Sequence, residues 1–263
     1  MLTFDRIPGR FLGCTVAIGL TVSSAFAFDA APAPEVKKSP FDVFKFGMSA
    51  YKQGHKGEAI EAYRYAGENG QLGARWKLAR MYADGDGVAE NDLEAYKMFE
   101  KIIQHGAEPG TREMSYVADA YDAIAGYVRR GIPNSQVKAN PGVARQLYEK
   151  AAVFGNSNAQ YELGKMLLNG EGGRLNQDRA AQYFWASAKK GHAGALAMLG
   201  DLMFKAGKTV RGLAMLTAAF ERAPQSDRDW ISQMQEEAFA SAPEADRRTA
   251  VSLAANILSN GVE

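Results

Sequence analysis

The sequence repeats itself with a fixed spacing. Eight small, apolar or aromatic residues occur twice, and each member of the second set follows its counterpart by 85 residues. The first set is Ala74, Leu78, Ala79, Gly85, Gly87, Ala95, Phe99 and Gly106, and the second is Ala159, Leu163, Gly164, Gly170, Gly172, Ala180, Phe184 and Gly191. Self-similarity in units of roughly 34–40 residues is typical of stacked helical hairpins. The sequence therefore predicts an all-α fold, a right-handed α-solenoid.

Weaker copies of the same pattern surround the two clear ones, so the predicted solenoid covers residues 41–223. Each unit consists of a first helix, helix A, then a loop and a second helix, helix B. Their matching positions are Gly47, Gly54, Ala59, Tyr63 and Ala66 in the first unit, Ala120, Ile124, Ala125, Gly131, Ala144, Tyr148 and Gly155 in the middle unit, and Ala195, Leu199 and Gly200 in the last.

The residue types fit that architecture. Small residues such as Gly164 suit places where two helices approach closely, and aromatic residues such as Phe184 and Trp185 are expected to fill the space between hairpins. Glycines such as Gly106 and Gly191 are expected to end helix B, because a left-handed terminal residue has no steric cost without a Cβ atom.

These motifs resemble a known repeat family. The stretches around Leu78–Ala79, Gly85–Val88 and Phe99, and their counterparts around Leu163–Gly164, Gly170–Gly172 and Phe184, are similar to Sel1-like repeats. The first unit looks more like a tetratricopeptide repeat. The resemblance covers about residues 42–223 and implies a fold that recognises other proteins.

The N-terminus has the features of a secretory signal peptide over residues 1–27. Arg6 and Arg10 precede an apolar stretch, and Ala25 and Ala27 form a small-x-small cleavage site that would leave Phe28 first. The apolar stretch is too short for a membrane span of about 20 residues. We therefore expect an exported, periplasmic protein that does not insert in the membrane after cleavage.

Composition excludes several kinds of site in the mature chain. Its only cysteine, Cys14, lies in the predicted signal peptide, which excludes a disulfide or a thiolate site in the mature protein. Removal of residues 1–27 leaves 29 acidic and 29 basic residues. There is no basic excess for binding nucleic acid or anionic lipid.

Two regions flank the predicted solenoid. Residues 28–40 are rich in proline and alanine, which predicts a disordered linker. Residues 224–263 predict two capping helices, the second beginning with Pro243 at its first position. Because the last hairpin of a solenoid exposes an apolar face, we expect these helices to cover it, and the alternative is a detachable partner-binding element.

No arrangement of residues predicts catalysis or a cofactor, and we expect a protein that is not an enzyme. His55, His105 and His192 belong to different units and are expected to be solvated residues at helix ends. Asp84 and Asp86 are weak candidates for a calcium site, but the loop lacks the ligand spacing of an EF-hand. We interpret it as a structural loop and expect no metal.

The A helices are expected to line a concave groove that binds a partner. Aromatic and arginine side chains contribute most to binding energy at interfaces. Matching the helix-A positions nominates Tyr51, Trp76, Arg80, Arg129, Tyr161, Lys165, Leu168 and Phe204 as partner-binding residues.

Taken whole, the chain resembles the ExoR family of periplasmic regulators of exopolysaccharide synthesis. That resemblance implies that the partner is the periplasmic domain of a membrane sensor histidine kinase, which binding would hold in its off state. The long loop over residues 132–141 is a candidate site for proteolytic release. The alternative is a cell-envelope assembly scaffold without a signalling role, and self-association remains open.

Overall fold

The computed structural model describes residues 39–262, which form twelve α-helices and no β-strand. The predicted signal peptide and nearly all of the predicted linker lie outside the described residues. The helices are α1 (Pro40–Lys52), α2 (Lys56–Glu68), α3 (Leu72–Asp84), α4 (Asp92–His105), α5 (Glu113–Arg130), α6 (Pro141–Val153), α7 (Ser157–Asn169), α8 (Gln177–Ala188), α9 (Ala193–Lys205), α10 (Thr209–Arg222), α11 (Gln225–Ser241) and α12 (Glu244–Asn260).

The first ten helices form five antiparallel hairpins, and each helix packs against the next one in the chain. This arrangement is the α-solenoid that the repeats predict. The odd-numbered helices are the A helices and the even-numbered ones are the B helices.

The small residues of the repeat lie where the two helices of a hairpin approach closely. A Cβ atom added at Gly164 on α7 would lie 2.5 Å from Cε1 of Phe184 on α8, a ring that is fully buried. In the first hairpin, a Cβ at Gly47 would meet the Tyr63 ring at 2.8 Å. The repeat therefore encodes a small residue on helix A opposite an aromatic ring on helix B.

The loops between helices A and B are also repeated structures. Gly85 and Gly170 end α3 and α7 in the left-handed conformation, with φ of 66° and 70°. Asn91 and Asn176 then cap α4 and α8, since each side chain accepts a hydrogen bond from the backbone N–H three residues later. These asparagines are also 85 residues apart.

Buried apolar side chains form two core clusters that meet at α3. The smaller cluster joins α1, α2 and one side of α3 through residues such as Phe44, Tyr63 and Leu78. The larger one runs from α3 to α12 and includes Phe99, Phe184 and Leu213. The first hairpin therefore has a core largely of its own.

The two C-terminal helices pack on the last hairpin of the solenoid. Helix α11 contacts α9 and α10, and α12 contacts α10. Ile231 and Ala250 are fully buried, and Arg222 on α10 donates hydrogen bonds of 2.9 Å to the carbonyls of Ile257 and Leu258. This packing covers the apolar face of α10.

Three details differ from the sequence-based expectations. Trp185 does not fill the space between hairpins, because its side chain is exposed on α8 with the Lys189 ammonium 4.5 Å from its ring. Pro243 precedes α12 as its N-cap residue and is not its first helical residue. His192 is partly buried against the Tyr161 ring and is not a solvated residue.

Candidate partner-binding face

The eight residues nominated for partner binding lie on the A helices α1, α3, α5, α7 and α9. Arg80 is exposed, and the other seven are partly buried. We call the surface formed by these side chains and their polar neighbours the A-helix face. Three groups of contacts along it join one A helix to the next.

The first group centres on Arg129, near the end of α5. Its Nη1 donates to Oε2 of Glu162 on α7 at 2.7 Å, and its Nε donates to Oε1 of Glu171 in the following loop at 2.6 Å. Lys165 also donates to Glu162, at 3.0 Å. The Arg129 hydrogen bond holds the pKa of Glu171 below its usual range. Arg129 and Lys165 thus belong to one charge network between α5 and α7.

The second group places two carboxyl groups of α5 against the start of α7. Asn156 donates to Oδ1 of Asp119 at 2.7 Å, and Asn158 donates to both carboxyl oxygens of Asp122 at 3.0 Å. Burial raises the pKa of Asp122 to about 6, and the nearby charges of Asp119 and Glu162 act in the same direction. The ionised form of this carboxyl group is therefore disfavoured by the fold.

The third group is an aromatic stack between α7 and α9. The rings of Tyr161 and His192 lie 4.5 Å apart at an angle of 28°, and the Lys165 ammonium lies 4.8 Å from the Tyr161 ring. His192 Nδ1 accepts a hydrogen bond from the Ala195 N–H and caps α9. Burial lowers the pKa of His192 and raises the pKa of Tyr161 to about 12. Both groups are accordingly uncharged near neutral pH.

Trp76 on α3 packs toward α5. Its ring is 5.4 Å from that of Tyr116 on α5. The Lys77 ammonium lies 5.4 Å from the Trp76 ring and 5.4 Å from the Tyr51 ring. The indole N–H is buried and faces Asp119 without hydrogen-bond geometry. Trp76 thus belongs to the packing between α3 and α5 as well as to the surface.

The acidic loop after α3 is organised by protein side chains. Asp86 accepts hydrogen bonds from Tyr51 and Lys56, and the Lys56 contact lowers the pKa of Asp86. Asp84, the last residue of α3, lies 3.9 Å from Arg80. Within residues 39–262 no three acidic, histidine or cysteine side chains are grouped to hold a metal ion.

Leu168 and Phe204 contribute mainly to packing, since both lie partly buried against the larger core. Glu162 and Asp119 were not nominated from the sequence. Glu162 accepts hydrogen bonds from both Arg129 and Lys165, and Asp119 accepts one from Asn156. The only signal was the spacing of Glu162 and Lys165, which are three positions apart on one helix face.

Comparison with known proteins agrees with the repeat architecture. The Sel1 repeat family matches residues 72–106, 124–152 and 157–192. An exopolysaccharide production negative regulator of Rhizobium meliloti (strain 1021) is 49% identical over 94% of this chain and 92% of its own length. The protein of the same description from Rhizobium leguminosarum bv. viciae is 46% identical over 97% of this chain and 96% of its own. The chain belongs to this regulator family.

Solved structures show the same fold. A protective antigen of uropathogenic Escherichia coli with an SLR fold superposes with a TM-score of 0.67 at 22% identity, over 84% of this chain and 45% of its own. A Sel1 repeat protein from Oxalobacter formigenes gives 0.54 at 23% identity, over 78% of this chain and 72% of its own. At these identities the likeness concerns the fold alone.

Proposed function

We propose that this protein is a negative regulator of exopolysaccharide production that acts by binding another protein. The observation that carries the proposal is the pair of relatives, which match nearly the whole chain and are named for this role. A solenoid of Sel1 repeats suits the role, because stacked hairpins offer a long surface assembled from many helices.

We further propose that the partner is the periplasmic domain of a membrane sensor histidine kinase. A repressor that binds the off state of such a domain more tightly than the on state shifts the kinase toward the off state. A shift from mostly on to mostly off requires a difference in affinity of about 10⁴-fold between the two states. The predicted N-terminal signal peptide supports export to the periplasm. In the part of the chain that the structure describes, residues 39–262, no helix is long and apolar enough to cross a bilayer.

The A-helix face supports this role through its chemistry. It presents aromatic rings and cations that are already held in place by neighbours, as Arg129 is by Glu162 and Tyr161 is by His192. Side chains that are ordered before binding lose less conformational entropy when a partner arrives. We propose that the protein acts by binding without catalysing a reaction.

The test is an affinity measurement between the mature protein, starting at Phe28, and the periplasmic domains of the sensor kinases of its host. We expect one domain to bind, and Trp76→Ala to weaken binding at least about tenfold, as expected of an aromatic anchor. Trp185→Ala is the matched control, because it removes an exposed tryptophan from a B helix. The unfolding midpoint of each variant shows whether a loss of affinity reflects a loss of fold.

Two outcomes contradict the proposal. Equal affinity of the Trp76 and Trp185 variants would remove the A-helix face as the binding surface. Failure of every kinase domain to bind, together with lower polysaccharide in a deletion strain, would favour the envelope scaffold, since loss of a repressor raises polysaccharide and loss of a required scaffold lowers it.

A further inference from the structure

The outer face of the first hairpin is a second surface with the properties of a docking site. Inside the stack, each A helix packs against the B helix of the preceding hairpin, as α3 does against α2. Among residues 39–262, α1 and α2 have no preceding hairpin. We call their outer side, which is lined by Val43, Phe46, Gly57, Ala62 and Tyr65, the end face.

The end face is a groove on the surface of the first hairpin. Its volume is about 740 Å³. Gly57 and Ala62 contribute to it with little or no side chain, and a Cβ atom at Gly57 would meet nothing within 4 Å. Phe46 and Tyr65, which are 55% and 42% exposed, supply large apolar side chains to the same groove. Small residues beside large ones are what a packed helix requires, because its ridges must enter the groove between them.

The border of the groove is acidic. Asp42, Glu58 and Glu61 line it, and no basic side chain of residues 39–262 does. Asp42 and Glu61 each have a basic neighbour on the same helix, Lys45 at 3.6 Å and Arg64 at 2.7 Å, and the imidazole of His55 lies 3.9 Å from Glu58. Because all three pairs are exposed, they contribute little energy and leave the carboxylates able to meet other cations.

We propose that the end face binds an amphipathic α-helix of a partner protein, with its apolar side on Phe46 and Tyr65 and with lysine or arginine along its edge. Such a helix would occupy the place that a preceding hairpin takes inside the solenoid. A second copy of the same face fits less well, since two copies meeting there would place acidic borders against each other. The end face is separate from the A-helix face. The proposed ligand is specified by its pattern of apolar and basic residues, whichever protein contains it.

A synthetic peptide tests the proposal on the full mature protein. The probe is a labelled amphipathic helix of about 18 residues, with leucine at positions i, i+3, i+4 and i+7 and lysine on both sides of that stripe. A second peptide has glutamate in place of every lysine. We expect the lysine peptide to bind more tightly, with an affinity that falls as salt rises, because the acidic border attracts it.

Variants locate the binding. Phe46→Ala should weaken binding of the lysine peptide at least about tenfold, and Glu58→Lys should weaken it about threefold at low salt, because an exposed charge contributes less than a buried apolar side chain. Phe41→Ala is the matched control, because Phe41 is an equally exposed phenylalanine of α1 that does not line the groove, and it should change affinity less than about twofold. All three positions are exposed, so the variants are expected to fold, and circular dichroism checks this.

A photo-cross-linking amino acid in place of Phe46 extends the test to the cell. A cross-linked segment that sequences as an amphipathic helix with lysine or arginine supports the proposal. Equal binding of the two peptides, equal effects at Phe46 and Phe41, or a cross-link only to a second copy of the chain would overturn it. None of these results depends on whether a kinase domain binds the A-helix face.

Discussion

Replacement of Asp122 by asparagine should make the protein more stable at neutral pH. The fold raises the pKa of this carboxyl group from 3.8 to about 6, chiefly by burial. The folded state therefore binds the proton more tightly than the unfolded state, and stability falls as pH rises through the interval between the two values. Above pH 6 the carboxyl group is ionised in both states, so the full free energy of burying a carboxylate destabilises the folded state.

The size of that cost follows from the shift. A rise of about two pKa units destabilises the folded state by about 3 kcal/mol at about pH 7.5, where the carboxyl group is ionised in both states. At about pH 4.5, where the folded state keeps its proton, the destabilisation is about 1 kcal/mol. Asparagine has nearly the same shape and no charge. Its oxygen can accept one of the two hydrogen bonds from Asn158, so a loss of about 1 kcal/mol is set against the gain. We expect Asp122→Asn to stabilise the fold by roughly 2 kcal/mol at about pH 7.5 and to be nearly neutral at about pH 4.5.

Urea unfolding followed by circular dichroism at both pH values measures this effect. The informative quantity is the difference between variant and wild type at each pH, because other carboxylates such as Glu171, whose pKa is lowered, affect both proteins equally. Asp84→Asn, at an exposed carboxylate where α3 ends, is the control and should change the free energy of unfolding little at either pH. A difference for Asp122→Asn that is the same at both pH values, or a loss of stability at the higher one, would refute the reasoning.

Two further changes test the packing and the charge network. Gly164→Ala should lower the free energy of unfolding by about 1–3 kcal/mol, because the new methyl group overlaps the Phe184 ring, and adding Phe184→Leu should recover part of the loss in thermal unfolding. Arg129→Met should destabilise the fold by about 1–3 kcal/mol at neutral pH, since it leaves Glu162 and Glu171 without their shared cation. That loss should shrink in acid as the carboxylates become protonated, and a loss of equal size in acid would show that the charge network is not its cause.

The helical architecture was predictable from the sequence because the same motif occurs twice with identical spacing. A small residue opposite a ring, as in Gly164 and Phe184, and a left-handed glycine at the end of a helix are local rules that spacing reveals. The matching asparagine caps, Asn91 and Asn176, follow the same spacing but were not predicted. Asparagine is common in turns and loops of many kinds, because its side chain can bond to the nearby backbone, so its position alone is a weak signal for a cap.

The contacts of the A-helix face were not predictable in the same way. Arg129 meets Glu162 and Glu171 across 33 and 42 residues, and those contacts depend on how one hairpin sits on the next. The prediction for His192 was wrong for the same reason, because the Tyr161 ring that covers it belongs to the preceding hairpin. A repeat pattern describes each hairpin well and says little about side chains that reach the neighbouring one.

The division of the core at α3 has a consequence for how the molecule opens. Regions with their own small core form cooperative units that unfold locally at a lower free energy than the whole. The first hairpin shares few buried side chains with the larger cluster, whereas the opposite end is closed by α11 and α12. Transient opening should therefore begin at the N-terminal end, and amide protons of α1 and α2 should exchange with solvent before those of α7 to α10. The hairpin that carries the end face is therefore also the one that can open locally when a partner binds, while the rest of the molecule stays folded.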